Sequence, residues 1–98
     1  MKFHWDSKKA VSNLLKHGVS FEEAETVFYD PDALLKPDPE HSAQEERFLM
    51  LGLSNQLKVL LVVHVYKDDA EVIRIVSARK ADKGEIDEYA RRHNEKPL

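Results

Sequence analysis

The spacing of hydrophobic and polar positions changes along this chain, and each change marks an element. Phe3 and Trp5 alternate with His4, the period-two signature of a short strand. Ala10, Val11, Leu14 and Leu15 then recur at helical spacing. They predict a helix capped by Asp6 or Ser7, with that stripe as its buried face. Gly18 stops it, being the residue that enters the left-handed conformation at least cost, and Lys16 and His17 put positive charge in the last turn, where the helix dipole favours it. Ser20 and Glu23 have capping-box spacing after the apolar Val19, so a second helix starts at once. Ala24, Val27 and Phe28 form its apolar stripe, and Asp30-Pro31-Asp32 ends it. The run Lys36-Pro37-Asp38-Pro39-Glu40, with its two prolines, reads as an exposed loop.

In the second half the period becomes that of strands. Arg47 to Leu53, Lys58 to Tyr66 and Glu71 to Arg79 are each predicted as one strand, with turns at Ser54-Asn55-Gln56 and Lys67-Asp68-Asp69-Ala70. Turns this short favour an antiparallel meander. Asp82 and Glu85 box the start of a last helix, Ile86, Tyr89 and Ala90 supply its apolar face, and it ends near Pro97. The fold class is therefore α+β, in the order β-α-α-β-β-β-α, with helices packed on an antiparallel sheet in a single domain over residues 1–98.

Composition narrows the setting. With 98 residues, 42% hydrophobic and 34% charged, the chain has enough apolar surface for one modest core. It contains no cysteine, which excludes disulfides and thiolate zinc sites and suits the cytoplasm, the expected location. The N-terminus has no apolar run resembling a signal peptide. Val59 to Val63, the longest apolar stretch, is too short to span a bilayer, so no membrane role is expected. The net charge of −3 conceals an asymmetry: residues 21–46 hold nine acidic side chains and one lysine, leaving 14 basic and nine acidic residues elsewhere. That acidic block is either a solvated face or the counterpart of a basic face open to phosphates.

Several chemistries are absent. There is no glycine-rich phosphate loop and no dinucleotide fingerprint. The five histidines (His4, His17, His41, His64 and His93) show no HExxH or HxH pairing, so neither a metal nor a cofactor is expected. What remains is a cluster on adjacent strands and their exit: His64, Arg74, Ser77, Arg79 and Lys80. Metal-free RNA cleavage needs a base for the 2′-hydroxyl, cations for the charge on phosphorus, and an acid for the leaving oxygen. These residue types supply all three. In the middle strand Val59, Leu61, Val63 and Val65 share one face, which suits a helix cover, and Leu60, Val62, His64 and Tyr66 share the other. His64 then lines a groove, or it is a histidine hydrogen-bonded at a sheet surface. Arg74 and Arg79 differ by five positions, so strict alternation sends them to opposite faces. Both reach one site only if the strand bends or ends before Arg79. Arg79-Lys80 also precedes Asp82, where a helix start offers backbone N–H groups to an anion. Tyr89 lies on an apolar stripe with its hydroxyl within reach of a sheet edge, and Arg47 either pairs with Glu45 or Glu46 or faces the groove.

The runs Phe3-His4-Trp5-Asp6, Lys16 to Ala24 (KHGVSFEEA), Val27 to Pro31, Glu45 to Phe48, Leu51 to Ser54 and Ile73 to Ala81 (IRIVSARKA), followed by Tyr89, occur in order over residues 3–89. Together they resemble the BrnT family of small bacterial toxins. That resemblance implies a fold like the RelE and ParE toxins and a ribonuclease activity that halts translation. It implies neutralisation by a BrnA-like antitoxin, a ribbon-helix-helix DNA-binding protein, so that contact with DNA is only indirect. The family's polar motif positions fall here on Arg47, His64, Arg74, Arg79, Lys80 and Tyr89, and the resemblance gives them no individual roles. We assign His64, Arg79, Lys80 and Tyr89 as catalytic candidates and Arg47 and Arg74 as phosphate-binding ones. One segment departs from the pattern: Ala81 to Glu88 carries acid where relatives carry arginine or lysine. Acid there weakens RNA binding and leaves open an alternative, a non-catalytic partner of the antitoxin acting in operon autoregulation. A different acid–base enzyme is a third reading for which no residue names a substrate.

Overall fold

The computed structural model describes residues 1–38, 40 and 45–95; Pro39 and Pro97 of the expected loop and tail, and His41, lie outside them. Strand β1 (Lys2–His4) leads into α1 (Ser7–His17), α2 (Phe21–Thr26) and a single 3-10 turn over Val27–Tyr29. Strands β2 (Leu34–Pro37), β3 (Phe48–Leu53), β4 (Val59–Lys67) and β5 (Val72–Lys80) follow, and α3 (Lys83–Asn94) closes the chain.

The helix boundaries follow the local chemistry. Asp6 accepts from the Lys8 and Lys9 backbone N–H groups at 2.8 and 3.1 Å, and Gly18 sits at φ 70°, the left-handed conformation that closes α1. Ser20 caps α2. At α3 the Asp82 and Glu85 side chains each accept the other's backbone N–H at 2.9 Å, a complete capping box.

The sheet differs from the expected one in two ways. It has five strands in the order β1-β5-β4-β3-β2, and it is mixed: β1 runs parallel to β5 while the other neighbours are antiparallel. The extra strand, β2, contains Lys36 and Pro37, which the sequence placed in a loop. As an edge strand it pairs only with β3, and a proline is tolerated where no second neighbour needs its N–H.

The central strand β4 is apolar on both faces because both are covered. The main core lies between one face of the sheet and α1 with α2, and joins Val19, Phe21, Ala24 and Val27 to Leu60, Val62, Ile75 and Ala78. The helix-covered face thus carries Leu60, Val62 and His64, the reverse of the expected assignment. Helix α3 lies over the opposite face and buries no residue fully.

Helix α1 is rolled away from its own stripe. Its buried residue is Asn13, while Val11, Leu14 and Leu15 are 61%, 49% and 84% exposed. Strand β1 pairs with β5 only over Val72–Arg74, which leaves the β5 edge beyond it without a strand. Asn13 fills that gap. Its side-chain Nδ2 donates to the Ala78 carbonyl (2.8 Å) and to the Val19 carbonyl (3.0 Å), and its Oδ1 accepts from the Ala78 N–H (3.0 Å). A buried strand edge requires partners for both groups, and one amide provides them.

Asn13→Leu removes all of these bonds and leaves buried donors and acceptors unpaired, with an expected destabilisation of about 2–4 kcal/mol. Urea unfolding of the variant beside the wild type checks this; an unchanged midpoint would show that Asn13 does not hold α1 on the sheet.

Candidate functional site

A single irregularity in β5 shapes the site. The β4–β5 ladder runs Val63↔Ser77 and then His64↔Ile75, so β5 contains one residue, Val76, more than its partner. Such a bulge reverses the alternation beyond it. Arg79 pairs with Leu61 and Arg74 with Val65, and both arginines therefore stand on the face that α3 partly covers. The pairing positions, Leu61 and Val65, are four steps apart on β4, roughly 13 Å along the strand. The bulge is the bend in β5 that these two arginines needed in order to share a face, since strict alternation would have separated them.

His4 joins the same face, being the parallel partner of Arg74. Beside it, where β1 ends and the bulge leaves β5 uncovered, a cleft of about 510 Å³ opens, lined by His4, Trp5, Asp6, Lys8, Lys9 and Arg74 among others. Four cationic or protonatable side chains converge there against one carboxylate. Spacing alone did not single out His4. The signal available was its place between Phe3 and Trp5, which turns it away from the core, but its neighbour Arg74 is known only from the β1–β5 pairing.

Carboxylates hold the cations of this face. Arg79 Nη1 and Nη2 bind Glu85 Oε1 and Oε2 at 2.8 and 2.9 Å, a two-pronged pair. That pair holds the Glu85 carboxyl below the usual carboxylate range. Lys36 Nζ meets Glu88 at 2.9 Å. At the other end Glu45 accepts from Lys67 (3.0 Å) and from Arg74, and the Lys67 hydrogen bond, with Arg74 beside it, lowers its pKa. The acidic block thus does not gather into one solvated face. Glu23 is buried against the Ser54 hydroxyl (2.6 Å), and Asp30, Asp32 and Glu45 each engage another element.

The predicted residues divide accordingly. Arg47 directly precedes β3, half-buried near Glu45 at the Arg74 end. Lys80 is exposed and pairs with Leu60, on the opposite face from Arg79. The helix start at Asp82 is occupied by its own capping box instead of offering open N–H groups. Tyr89 donates its hydroxyl to Asp30 Oδ2 at 2.7 Å, and that oxygen also accepts from the Leu53 N–H. Burial and the adjoining Asp30 raise the Tyr89 pKa well above the usual tyrosine value, so this hydroxyl stays protonated. Ile86 and Ala90, the rest of the predicted apolar face of α3, are exposed.

His64 lies in the core, not in a groove. It is 0% exposed and packs edge-on against Phe28 and Tyr66 with ring centroids 4.8 and 5.0 Å apart. Its polar atoms are satisfied: Nδ1 lies 3.2 Å from the Val62 carbonyl, and Nε2 3.1 Å from the Tyr66 hydroxyl. These distances fit a neutral ring that donates from Nδ1 and accepts at Nε2. Burial lowers its pKa to about 4.

A small α+β fold with a bulged, arginine-bearing sheet face is the class of protein defined so far. Residues 5–85 match the family described as the ribonuclease toxin BrnT of type II toxin–antitoxin systems, and the chain belongs to that family. It is similar to the 1.1 Å crystal structure of the Brucella abortus ribonuclease toxin BrnT, with 27% identity and a TM-score of 0.66 over 85% of this chain and 99% of that one. No curated protein sequence matches the chain. Among the described residues no group of three or more His, Cys, Asp or Glu side chains is arranged to hold a metal, and no helix is long and apolar enough to cross a membrane.

The buried His64 has a consequence for acid stability. The unfolded chain binds a proton at the ordinary histidine value of 6.5, whereas the folded ring binds one only near pH 4. Its contribution is complete above pH 6.5 and is lost as pH falls toward 4, by roughly 3 kcal/mol. His64→Phe should flatten this part of a urea-midpoint-versus-pH profile; the same slope in both proteins would assign it to other groups.

Proposed function

We propose that this chain is a metal-independent endoribonuclease that cleaves RNA and blocks translation until a BrnA-like antitoxin masks it. The observation that carries this reading is the bulge at Val76, which sets Arg74 and Arg79 on one face with His4 beside Arg74. Cations so placed suit the phosphates of a strand laid along the sheet. In the cleavage step the RNA 2′-oxygen loses its proton and attacks phosphorus. The 5′-oxygen then leaves with a proton, giving a cyclic phosphate and a 5′-hydroxyl. Arg74, with Lys8 and Lys9 across the cleft, meets the charge on phosphorus, and Arg47 assists from the Arg74 end. His4 is the exposed histidine in position to move the proton; His64 is sealed in the core on the other face. Arg79 holds a neighbouring phosphate, Lys80, on the other face of β5, takes no part, and Tyr89 positions α3 through Asp30.

A second reading is favoured by one contact. Glu85 occupies both prongs of Arg79, and acid on α3 opposes a polyanion. The chain then serves as a non-catalytic partner of a DNA-binding antitoxin in operon autoregulation. Purified protein assayed on RNA in excess chelator separates the two readings. Cleavage unaffected by EDTA supports the enzyme, and no cleavage together with no growth arrest supports the partner.

For the enzyme, His4→Gln should lower cleavage about 10²–10⁴-fold and abolish one limb of the pH–rate profile. Arg74→Ala should weaken RNA binding and reduce its salt dependence. A His4→Gln protein with wild-type rate and pH profile would remove His4 from the reaction. Glu85→Gln keeps the capping-box geometry but releases Arg79, and should tighten RNA binding, most at low salt; unchanged affinity would mean that Arg79 does not meet RNA.

A further inference from the structure

The outward face of α1 has no partner within the chain. Val11 and Leu15, one turn apart, are 61% and 84% exposed, and Leu14 beside them is 49% exposed. An exposed stripe this apolar on a small domain marks an interaction surface. With Ser7, Lys8, Ser12 and Lys16, residues Val11 and Leu15 form an open, shallow surface made by α1 alone. Projected at helical spacing, the lysines Lys8, Lys9 and Lys16 lie together on one flank of the stripe, and α1 contains no acidic residue. The surface is thus an apolar strip with a positive border on one side.

We infer that this face is the docking site of the antitoxin, and that the docking segment is an acidic amphipathic helix. It would lay leucine-like side chains on Val11, Leu14 and Leu15 and carboxylates along the lysine flank. This rests on the reading, given above, that an antitoxin masks this chain. A second copy packed antiparallel is a poorer occupant, because the two-fold sets the two lysine flanks side by side and α1 brings no carboxylate to meet them. The position also supplies a masking route. Ser7 and Lys8 belong both to this surface and to the lining of the cleft that holds His4 and Arg74. A helix seated on α1 and running toward its N-terminus therefore brings the chain that follows it to the mouth of that cleft.

The test is titration of the full chain with a synthetic helical peptide of about the length of α1, with leucines on one stripe and glutamates on one flank. A scrambled peptide of the same composition and a version with lysine for glutamate serve as controls. The acidic peptide should bind roughly tenfold or more tightly than either control. Val11→Ser/Leu15→Ser should lose that preference with unchanged thermal unfolding, as expected for exposed positions. Lys16→Glu should reduce the preference for the acidic peptide over the lysine peptide, and an unchanged preference would count against the lysine flank. In cells, the Val11→Ser/Leu15→Ser toxin should still arrest growth but escape a BrnA-type antitoxin that neutralises the wild type. If the wild type arrests nothing, the toxin reading fails while the peptide titration still decides the surface. Equal binding of acidic and scrambled peptides overturns the proposal, as does retained binding by Val11→Ser/Leu15→Ser. Two other results overturn it as well: a wild-type dimer that the double substitution dissolves, or binding confined to anionic vesicles, would give the stripe to a second copy or to a lipid surface.

Discussion

The Asn13 side-chain amide is the interaction on which the arrangement of this domain depends. Strand β1 is three residues long and stops short of Ala78, so the inner edge of β5 would otherwise bury an N–H and a carbonyl without partners. Asn13 meets both, and its Nδ2 also reaches the Val19 carbonyl in the turn between the helices. Left unpaired, the Ala78 N–H and carbonyl together would cost about 2–6 kcal/mol, as much as burying one or two leucines gains. Helix α1 is therefore rolled until Asn13 faces the sheet, and Val11, Leu14 and Leu15 turn outward. One amide thus closes the core and at the same time leaves the apolar stripe of α1 exposed.

A second constraint lies next to the first. The extra residue at Val76 sits two positions before Ala78, in the stretch of β5 where β1 no longer runs. A bulge is tolerated there because no second strand must match its register. Its effect reaches well beyond the local kink: residues before and after it exchange faces, and two arginines that simple alternation separates come to share one surface. The cleft beside His4 opens at the same place and for the same reason, since the strand that would have filled it has ended.

Electrostatics then determines how available that surface is. Each α3 contact with the body described above is polar: Glu85 with Arg79, Glu88 with Lys36, Tyr89 with Asp30 and His93 with Asp32. Part-exposed pairs of this kind are individually weak, so α3 is held by several modest contacts instead of by a buried face. Several of the acidic residues that make the net charge negative, among them Glu45, Asp82, Glu85 and Glu88, act as partners of cations or of backbone N–H groups. Net charge is accordingly a poor guide to whether this face meets RNA, and the local competition between Glu85 and a phosphate for Arg79 is a better one.

What the sequence determined by itself was everything governed by neighbours along the chain. The Asp6, Ser20 and Asp82 caps, the left-handed Gly18, the three long strands and the α+β class all follow from contacts within a few residues. The motif runs KHGVSFEEA and IRIVSARKA likewise carried the family. Only the tertiary structure decided matters that depend on which surfaces meet. Strand β2 was hidden because Pro37 signals a loop unless the strand lies at an edge, and an edge is a property of the sheet. His64 looked like a groove residue because both faces of β4 are apolar, and which one the helices cover is set elsewhere, by α1 and α2. The stripe of α1 looked like core because periodicity reports that a helix has two faces but not which of them is buried. Asn13 settles that through a bond to Ala78, 65 positions away, and no local pattern encodes a separation of that kind.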